Sequence, residues 1–436
     1  MKVNVGNDLY LKGRIGWKGL SKSEYLDKSQ YRIINGYSLK DGYVDWKIAG
    51  FISEERYEES PEIKLEINDI LISKDGTIGK VGIVRKLELP STVASGIFVL
   101  RNIIEDKLDT EYLFQFLKSS NFKNFINRVK AEGSTINHLY QRDLIRLEID
   151  VPYIKEQKRI SKILKDIDDK IEVNNKINQE LEALAKTIYD YWFVQFDFPD
   201  ANGKPYKSSG GKMVYNTELK REIPEGWEVE KINEVIEVKD GTHDSPKYIE
   251  NGYKLITSKH LKEGGLDFEN ANSISEVDYI NINKRSRVDC GDILFSMIGN
   301  IGTVYKVEDE TMDFAIKNVA LYKTSDNPSL KNYIYMSLKG YYMEAYMANV
   351  ISGSIQKFIG LGSLRKMPLL LNDEIIAAYT NKTKHIFRQK TNLKKQNQKL
   401  AALRDWLLPM LMNGQVTVGE AKAQLGMVAE ENVKYE

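Results

Sequence analysis

Two carboxylates near a lysine are the residues in this sequence whose spacing most directly suggests catalysis. Asp200 follows Pro199, and the tripeptide Glu218-Leu219-Lys220 comes shortly after. Two acidic side chains can hold Mg²⁺ beside a lysine, as a metal-dependent DNA endonuclease requires. These residues, however, lie in a turn-rich stretch rather than on adjacent core strands. A metal-dependent DNA endonuclease using Asp200, Glu218 and Lys220 is therefore the alternative hypothesis for the function.

The histidines and the cysteine supply no second catalytic or metal-binding set. The chain has four histidines and one cysteine, at His138, His243, His260, His385 and Cys290. None of the histidines has metal-ligand spacing to another histidine or to the cysteine. Neither a Gly-x-Gly-x-x-Gly loop after a strand nor a Walker lysine loop occurs. Apart from the alternative endonuclease residues, the sequence thus predicts no catalytic residue, no metal and no cofactor.

Composition and charge narrow the class of protein. Among 436 residues, 42% are hydrophobic and 29% are charged, which is typical of a globular chain rather than a disordered one. No apolar run approaches the roughly 20 residues of a membrane span, so no membrane protein is expected. A single cysteine predicts no internal disulfide and a reducing, cytoplasmic location. With a net charge of +1, a DNA-binding role would need local charge patterning or a partner that shares the phosphates.

Polar loops supply chemistry of a different kind, the recognition of nucleic acid. The loops of the chain are rich in Lys, Arg, Tyr, Asn and Ser, and two examples of polar loops are Lys12–Lys22 and Asp240–Tyr248. Cationic groups neutralise phosphates, whereas Asn, Ser, Thr, His or Arg can read base edges. Polar loops are normally just solvated. Whether these loops indicate DNA binding therefore depends on the elements that position them.

The elements that position these loops occur twice along the chain. Asp69–Val81 recurs as Asp292–Val304 at an offset of 223, and both glycines of its turn are retained. Tyr31–Trp46 likewise matches Tyr253–Phe268 at an offset of 222. Further matches follow in the same order, so we infer an internal duplication of about 220 residues. Two such copies predict a pseudo-two-fold protein made from one chain.

Each copy begins with a mixed module of strands and helices. Ile70–Ile72 and Val81–Val84 flank a turn at Asp75-Gly76, which is a hairpin signal. The apolar spacing over 112–129 predicts a helix. We therefore expect two similar α/β (α+β) modules with irregular loops.

Each copy then ends in a heptad pattern. The two columns of the first copy are Ile160, Ile167, Asn174, Leu181 and Ile188, and Ile163, Lys170, Ile177, Leu184 and Tyr191. The better column of the second copy is Tyr379, Ile386, Leu393, Leu400 and Leu407. Spacing by seven over about five heptads predicts two long helices that pair as a coiled coil. The acidic first helix and the basic second helix favour this pairing, with two independently solvated helices as the open alternative.

These patterns predict six segments. In chain order they are a first module (1–155), a long helix (156–198), a linker (199–225), a second module (226–372), a second long helix (373–413) and a tail (414–436). A helix of ~36 residues at 1.5 Å each is roughly 54 Å long, so it would act as a rigid spacer.

The chain resembles the specificity (S) subunits of type I restriction-modification systems over nearly its whole length. The resemblance rests on the duplicated hairpin at Asp69–Gly79 and Asp292–Gly302, and on Gly133–Leu139. It also rests on Asp240–Pro246 and Ile223–Trp227, and on the order module, helix, module, helix. Each piece is modest, but the combination is specific.

The resemblance implies two target recognition domains separated by two long helices that pack antiparallel. Each domain would contact one part of a bipartite, asymmetric sequence in double-stranded DNA. The helices would set the spacing and dock two methyltransferase (M) subunits, which carry the S-adenosylmethionine chemistry. Restriction (R) subunits would then complete an ATP-dependent nuclease. The S subunit itself would be non-catalytic, in agreement with its lack of a catalytic set.

Candidate contacts follow from this expectation. The predicted DNA-binding residues are Lys18, Lys22, Lys40 and Lys74 in the first module and Thr242, His243, Lys247, Lys259 and Lys262 in the second. The lysines would mainly hold phosphates, whereas Thr242 and His243 could read bases. The predicted docking residues, which could equally be core aromatics, are Tyr191, Trp192 and Trp406. A structural coiled-coil adaptor that binds no DNA is the third hypothesis.

Overall fold

The computed structural model describes residues 1–14, 19–40, 42–132, 138–262, 264–308, 313–353 and 357–433. The chain divides into two compact units, and both division points fall inside long helices. Unit 1 comprises Met1–Asn174 and Lys395–Glu436, and unit 2 comprises Asn175–Lys394. No helix in the described part of the chain is long and apolar enough to cross a membrane.

Short strands and helices alternate along the first module of unit 1. The strands are β1 (Lys2–Asn4), β2 (Leu9–Gly13), β3 (Tyr31–Ile34), β4 (Leu39–Lys40), β5 (Tyr43–Val44), β6 (Gly50–Ile52), β7 (Ile70–Ser73), β8 (Val81–Ile83), β9 (Ser91–Val93), β10 (Ile97–Asn102) and β11 (Glu148–Asp150). The helices are α1 (Val5–Asp8), α2 (Glu54–Glu58), α3 (Thr110–Lys118), α4 (Ser120–Glu132) and α5 (Gln141–Leu144). Single 3₁₀ turns occupy Lys22–Glu24, Gly36–Ser38 and Pro61–Ile63.

Two sheets form the core of this module. The larger has the order β2-β10-β7-β8-β5-β4, and the predicted hairpin is confirmed as its antiparallel pair β7–β8. The smaller has the order β6-β3-β9. Ile70 and Ile72 of β7 pack in the cluster that contains α3 and α4, whereas Leu71 packs with Ile34 and Val93 of the smaller sheet. This alternation follows from the two-residue period of a strand.

The helix predicted over 112–129 is wrong as one element, because α3 and α4 are separate. Ser119 lies between them with φ −72° and ψ 165°, which is extended backbone. The first long helix, α6, covers Ile154–Tyr189 and continues as a π-helical turn over Asp190–Val194. Regular helix therefore ends several residues before the predicted limit at 198.

Unit 2 carries a second set of strands, followed by the second long helix. The strands are β12 (Met213–Asn216), β13 (Arg221–Pro224), β14 (Glu228–Lys231), β15 (Val238–Asp240), β16 (Tyr248–Ile249), β17 (Tyr253–Thr257), β18 (Leu261–Lys262), β19 (Gly265–Leu266), β20 (Ser273–Ile274), β21 (Ile293–Ser296), β22 (Val304–Lys306), β23 (Phe314–Lys317), β24 (Val319–Tyr322) and β25 (Pro368–Leu371). The helices are α7 (Ile232–Val235), α8 (Glu276–Ser286), α9 (Lys331–Leu338), α10 (Tyr341–Val350), α11 (Leu361–Arg365) and α12 (Asp373–Met412). A 3₁₀ turn covers Ser258–His260. The predicted linker, 199–225, contains the hairpin β12–β13.

The strand order of unit 1 recurs in unit 2. The sheet β15-β24-β21-β22 has the order and the antiparallel pairing of β2-β10-β7-β8. The parallel pair β17–β23 matches β3–β9, and the antiparallel pair β14–β25 matches β1–β11. The repeat in the sequence therefore corresponds to a repeat in strand topology.

The two long helices pair antiparallel in unit 1. Asp168 of α6 contacts Arg404 of α12 at 2.9 Å, and Asn174 donates to Asn397 at 2.8 Å. Residue numbers therefore rise along α6 as they fall along α12. The Asp168–Arg404 ion pair agrees, within unit 1, with the predicted pairing of an acidic with a basic helix.

The buried stripe of α6 departs from the predicted heptad columns. At the start of the helix the buried positions are those predicted, Ile160, Ile163 and Ile167. Farther along, the exposed positions are Ile177, Leu184 and Tyr191, and the buried ones are Ala185, Tyr189 and Trp192. Lys170 is exposed as well, so the second column is wrong from Lys170 onward. A straight helix drifts by about 20° per heptad, which moves the buried stripe to neighbouring positions.

The tail after the second long helix is also helical. A further helix, α13, covers Val418–Val433. Ala421 is buried in the core of unit 1, and Val418 and Leu425 pack against that core. The predicted tail, 414–436, therefore holds an element of unit 1.

Glu182 of α6 carries a largely buried charge in unit 2. Its carboxylate accepts hydrogen bonds from Lys339 and Lys390, and from Tyr335 Oη at 3.1 Å. Burial by itself would raise the pKa of Glu182, but the two ammonium groups outweigh burial and lower this pKa to about 2. The ionised form of Glu182 is thus the form that the folded state stabilises.

Glu182→Gln is expected to lower the free energy of unfolding of unit 2 by about 3 kcal/mol at neutral pH. The pKa falls from 4.5 to about 2, and each pKa unit corresponds to roughly 1.4 kcal/mol. Because the folded-state pKa is the lower one, this contribution is present above pH 4.5 and is lost as the pH falls to about 2. Urea unfolding of both proteins across this range measures the difference. A difference that stays constant into acid would contradict the assignment.

Candidate nucleic-acid interface

Loops that follow neighbouring strands of unit 2 meet at one edge of its sheets. They are 240–247 after β15, 257–260 after β17, 296–303 between β21 and β22, and 317–318 between β23 and β24. We call these four segments the loop cluster of unit 2. It contains most of the residues that the sequence predicts as DNA contacts in the second module.

Hydrogen bonds tie the loop cluster of unit 2 together. Thr242 N donates to Ile316 O at 3.1 Å, and Asn318 N donates to Thr242 O at 3.3 Å. Ser258 Oγ donates to Asn318 O at 2.7 Å and accepts from Met297 N at 3.2 Å. The loops therefore hold one another and form a fixed polar surface.

Gly241 allows the closest approach in this cluster. A Cβ atom at this position would lie 2.2 Å from Ile316 O, which is backbone and cannot swing away. Only glycine therefore lets the chain after β15 run against β23. This contact places Thr242 and His243 beside Asn318.

Gly241→Ala is expected to displace the loop after β15 and to lower the free energy of unfolding by about 1–3 kcal/mol, the usual range for overpacking. Gly265→Ala is the matched control, because a Cβ at Gly265 would meet nothing within 4 Å. Chemical denaturation of the two variants measures the difference. Equal midpoints for both would show that the approach of Gly241 to Ile316 is not needed.

The His243 ring is fixed between two neighbours. Its Nδ1 lies 2.9 Å from Asn318 Oδ1, and its Nε2 lies 2.8 Å from Asp240 Oδ2. Asp240 is buried and also accepts from the guanidinium of Arg285 on α8. Both ring nitrogens of His243 are thus engaged within the protein, so the ring shapes the loop.

The sequence did not predict two cations at this site, Arg285 on α8 beside the loop cluster and Lys317 within it. The side chain of Arg285 is 61% exposed while its guanidinium pairs with Asp240. Lys317 Nζ donates to Ser245 Oγ at 2.6 Å, which ties the end of β23 to the loop after β15. Both lie outside the glycine-rich motifs of the repeat. Their signal is only spatial, since neither residue is near Thr242 in the sequence.

The Thr242 hydroxyl donates a hydrogen bond to none of the residues that the structure describes. Its Oγ1 accepts from Asp244 N at 3.1 Å, which leaves the hydroxyl proton available for donation. Its backbone is fixed on both sides by the bonds to Ile316 and Asn318. Of the two residues that the sequence predicts to read bases, Thr242 is therefore the one whose side chain keeps an unused donor within the described residues.

Unit 1 has a corresponding loop cluster. Its segments are 35–40, 74–80, 94–96 and 138–139. Lys74 N donates to Gly96 O at 2.9 Å, and Leu139 N donates to Lys74 O at 3.0 Å. Ala94 N donates to Ile34 O at 2.8 Å, which joins the end of β3 to the same group. The tip of the β7–β8 hairpin adds a hydrogen bond between the Asp75 carboxylate and the His138 ring.

Lys74 is not a free surface cation in this cluster. Its Nζ lies 4.9 Å from the centroid of the Phe98 ring. Burial lowers the pKa of Lys74, and the neighbouring Asp75 carboxylate opposes this shift. The ammonium is therefore held against an aromatic ring, as in a cation–π contact.

The other predicted lysines are exposed where the structure describes them. They are Lys22, Lys40, Lys247, Lys259 and Lys262. Lys40 and Lys262 occupy equivalent short hairpins, β4–β5 and β18–β19. Lys22 belongs to a segment that Arg56 of α2 holds through Gly19 O and Glu24, apart from the bonds of the loop cluster. Lys18 lies outside the described residues.

The two loop clusters present different side chains on the same backbone feature. The 3₁₀ turn after β3 carries Tyr37, which is 87% exposed, and the one after β17 carries the exposed Lys259. Asn35 Oδ1 holds the first turn by accepting from Tyr37 N at 3.0 Å. Tyr37 was not predicted as a contact, although the repeat at an offset of 222 pairs it with Lys259.

The predicted docking aromatics lie in different environments. Tyr191 and Trp406 are 42% and 43% exposed. Trp192 is buried in the core of unit 2, where its ring centroid lies 6.1 Å from that of Tyr379. The π-helical turn places these adjacent residues on opposite sides. Trp192 is therefore a core residue and offers no docking surface.

The residues of the alternative endonuclease belong to turns. Asp200 Oδ1 accepts from Asn202 N and Lys204 N, both at 2.8 Å, and thereby caps its own turn. Glu218 and Lys220 lie in the exposed turn of the β12–β13 hairpin. Within the described ranges, no three His, Cys, Asp or Glu side chains gather where they could hold a metal ion. No observation therefore favours this alternative.

Comparison with known proteins finds a family model that matches most of the first copy. Residues 16–183 match the family model described as the type I restriction modification DNA specificity domain. The chain is 27% identical over 361 residues to the type I restriction enzyme MjaIX specificity subunit of Methanocaldococcus jannaschii, which covers 80% of this chain and 78% of the relative. It is 21% identical over 360 residues to the HindI specificity subunit of Haemophilus influenzae, covering 70% and 77% of the two chains.

A solved structure is also similar along most of its length. The type I restriction-modification S subunit from M. genitalium has a TM-score of 0.47 and 17% identity, covering 94% of this chain and 95% of the other. The family model and the curated relatives agree with the resemblance drawn from the duplicated hairpin. The chain is thus similar to the specificity subunits of type I restriction-modification systems, and its residues 16–183 match the model of their DNA specificity domain.

Proposed function

We propose that the chain is the DNA specificity subunit of a type I restriction-modification complex. In this role it is a non-catalytic component that selects the sequence on which partner subunits act. One observation carries the proposal: two loop clusters with different side chains stand on the same strand topology. Such an arrangement suits the recognition of two different sequences by one chain.

Each loop cluster reads one part of a bipartite, asymmetric target in double-stranded DNA. Exposed cations such as Lys40, Lys259 and Lys262 hold phosphates, which positions the protein without selecting a sequence. Thr242, Arg285 and Tyr37 supply the groups that differ between the clusters and touch bases. The two sequences differ because the side chains on the shared backbone differ.

Partner subunits supply the chemistry and share the phosphates. Two methyltransferase subunits dock on the long helices, where Tyr191 and Trp406 are the exposed aromatics, and restriction subunits join them. The recognition domains are 1–155 and 226–372, and the complex works in the cytoplasm. A net charge of +1 suits a subunit whose partners also contact the duplex.

Methylation mapping tests the proposal. The chain is co-expressed with its methyltransferase partner in a host without other adenine methylation, and modified adenines are mapped across the genome. The expected result is one bipartite motif that disappears when the chain is omitted. A motif unchanged by omission, or cutting of DNA by the purified chain with Mg²⁺ alone, would refute it.

Lys259→Ala combined with Lys262→Ala is expected to weaken binding to target and non-target DNA alike. Each lost phosphate contact should reduce the slope of log K against log salt by about one. Lys231→Ala is the matched control, because this half-exposed lysine lies on β14, away from the loop cluster. Fluorescence anisotropy of the complex with its methyltransferase partner measures the slope. A loss confined to the target sequence would mean that these lysines read bases.

A further inference from the structure

A buried carboxylate joins the first module of unit 1 to both long helices. Asp168 of α6 accepts from Lys118 Nζ at 2.6 Å and from Gln115 Nε2 at 3.1 Å, both on α3. It also accepts from Arg404 of α12 at 2.9 Å. The Asp168 side chain is only 5% exposed, and that of Lys118 is 16% exposed. One carboxylate thus connects three helices. We call this group joint 1.

A second carboxylate makes the same connection in unit 2. Glu182 of α6 pairs with Lys339, which follows α9, and with Lys390 of α12. Tyr335 of α9 adds a hydrogen bond to the same carboxylate at 3.1 Å. We call this group joint 2. It again connects the module of its unit to both long helices through one acidic side chain.

The two joints are equivalent in their lysines but not in their carboxylates. Lys118 and Lys339 occupy the same position of the repeat, at the end of α3 and just after α9. The position of the repeat that corresponds to Asp168 is Phe387 on α12, so the carboxylate of joint 2 comes from the other copy's helix. Joint 2 is therefore not a copy of the joint 1 contact that the duplication of the sequence produced.

The hydrogen-bonded ion pairs of the two joints are directional, whereas the apolar contacts around them are not. Beside joint 1, α3 and the long helices contribute residues such as Leu113 and Ile167 to one apolar cluster. Apolar burial is non-directional, so it would tolerate small rotations of the module. A buried carboxylate between two cations tolerates only the geometry that keeps its hydrogen bonds, because unpaired buried charges are costly.

We propose that Asp168 and Glu182 are positioning residues that fix the angle at which each module is held on the helix pair. This inference rests on the proposed function. In a specificity subunit the angle of each module determines where its loop cluster meets the duplex. The two joints then restrict the number of base pairs accepted between the two half-sites, while the loops alone determine the half-site sequences.

Methylation mapping of Asp168→Asn and Glu182→Gln tests this division of roles. Both variants should methylate the half-sites of the wild type. For targets whose central spacing differs by one base pair, the methylation rate is divided by the rate on the normal target. This ratio should be roughly tenfold higher for each variant than for the wild type, which is equivalent to about 1.4 kcal/mol. Asp166→Asn is the matched control, since Asp166 pairs with Lys162 on the solvent side of the same helix.

Several outcomes would overturn the inference. One is a variant that unfolds cooperatively, and is therefore folded, but whose methylation depends on the number of base pairs between the half-sites as it does in the wild type. Another is an altered half-site sequence, which would place the effect in the loops. If either carboxylate variant fails to fold, Lys118→Arg and Lys339→Arg keep the charge and change the geometry. Unaltered spacing in both arginine variants would equally refute it. A wild type that directs no bipartite methylation would instead refute the proposed function, and the inference with it.

Discussion

Asp292→Ala should lower the free energy of unfolding of unit 2 by about 3–5 kcal/mol, which is typical of breaking a buried ion pair from one side. Asp292 is fully buried, and its carboxylate accepts from Lys323 Nζ at 2.7 Å. It also accepts from Asp289 N at 2.8 Å and from Ser325 N at 3.0 Å. The alanine variant would leave these two backbone groups without partners and the buried Lys323 with only one carboxylate.

Asp289→Ala is the control for this experiment. Asp289 also pairs with Lys323 at 2.7 Å, but its side chain is 41% exposed. A solvent-exposed pair contributes about 1 kcal/mol or less. Calorimetry should therefore show a fall in the melting temperature of roughly 10 °C for Asp292→Ala and a much smaller one for Asp289→Ala. Similar shifts for both variants would contradict the importance of burial.

The same ion pair explains why the repeated motif begins with aspartate. In unit 1, Asp69 is fully buried and receives two hydrogen bonds from Arg101, at 2.7 and 2.9 Å. Arg101 stands at the repeat position of Lys323. Each aspartate therefore fixes the start of the central hairpin to the next strand of the sheet. The aspartate that begins the duplicated hairpin motif thus has a structural role. It fixes the strands from which the loops extend.

Phe193→Ala should cost about 3–5 kcal/mol, the range for removing a buried phenyl ring. Phe193 lies in the π-helical turn after α6 and is 1% exposed. Its ring centroid lies 4.7 Å from that of Tyr333, 5.4 Å from that of Tyr379 and 5.7 Å from that of Trp227. The ring therefore joins the end of the first long helix to the second helix and to α9. Its loss would leave a cavity between these elements.

Tryptophan fluorescence during urea unfolding measures this effect, because Trp227 and Trp192 both belong to the cluster. Tyr341→Ala is the matched control, since Tyr341 is 62% exposed. Its cost should stay within about 0.5 kcal/mol. A Phe193→Ala midpoint as close to the wild type as that of the control would show that the neighbouring rings collapse into the space.

Patterns in the sequence predicted the elements that depend on local periodicity. The central hairpin follows from strands on either side of Gly76, and the long helices follow from apolar spacing that persists over several turns. Opposite charges on the two helices predicted their pairing, which Asp168 and Arg404 make in unit 1. The duplication also predicted that the second module would repeat the first.

The candidate site was predicted less completely, because exposure and hydrogen-bond partners depend on residues far apart in the chain. Lys74 was predicted as a phosphate contact but lies against Phe98, and His243 was predicted to read bases but has its ring held by Asn318 and Asp240. Trp192 and Tyr191 are neighbours in sequence, yet only Tyr191 reaches solvent.

The amino-acid sequence by itself therefore determined the duplicated frame, the helix pair and the family resemblance. These depend on local spacing, which a repeat preserves. Tertiary structure alone decided which cations are exposed, which ring nitrogens are engaged, and that Lys118 meets Asp168 while Lys339 meets Glu182. Such contacts arise from packing between distant segments, where burial strengthens each charge interaction and makes its partner necessary.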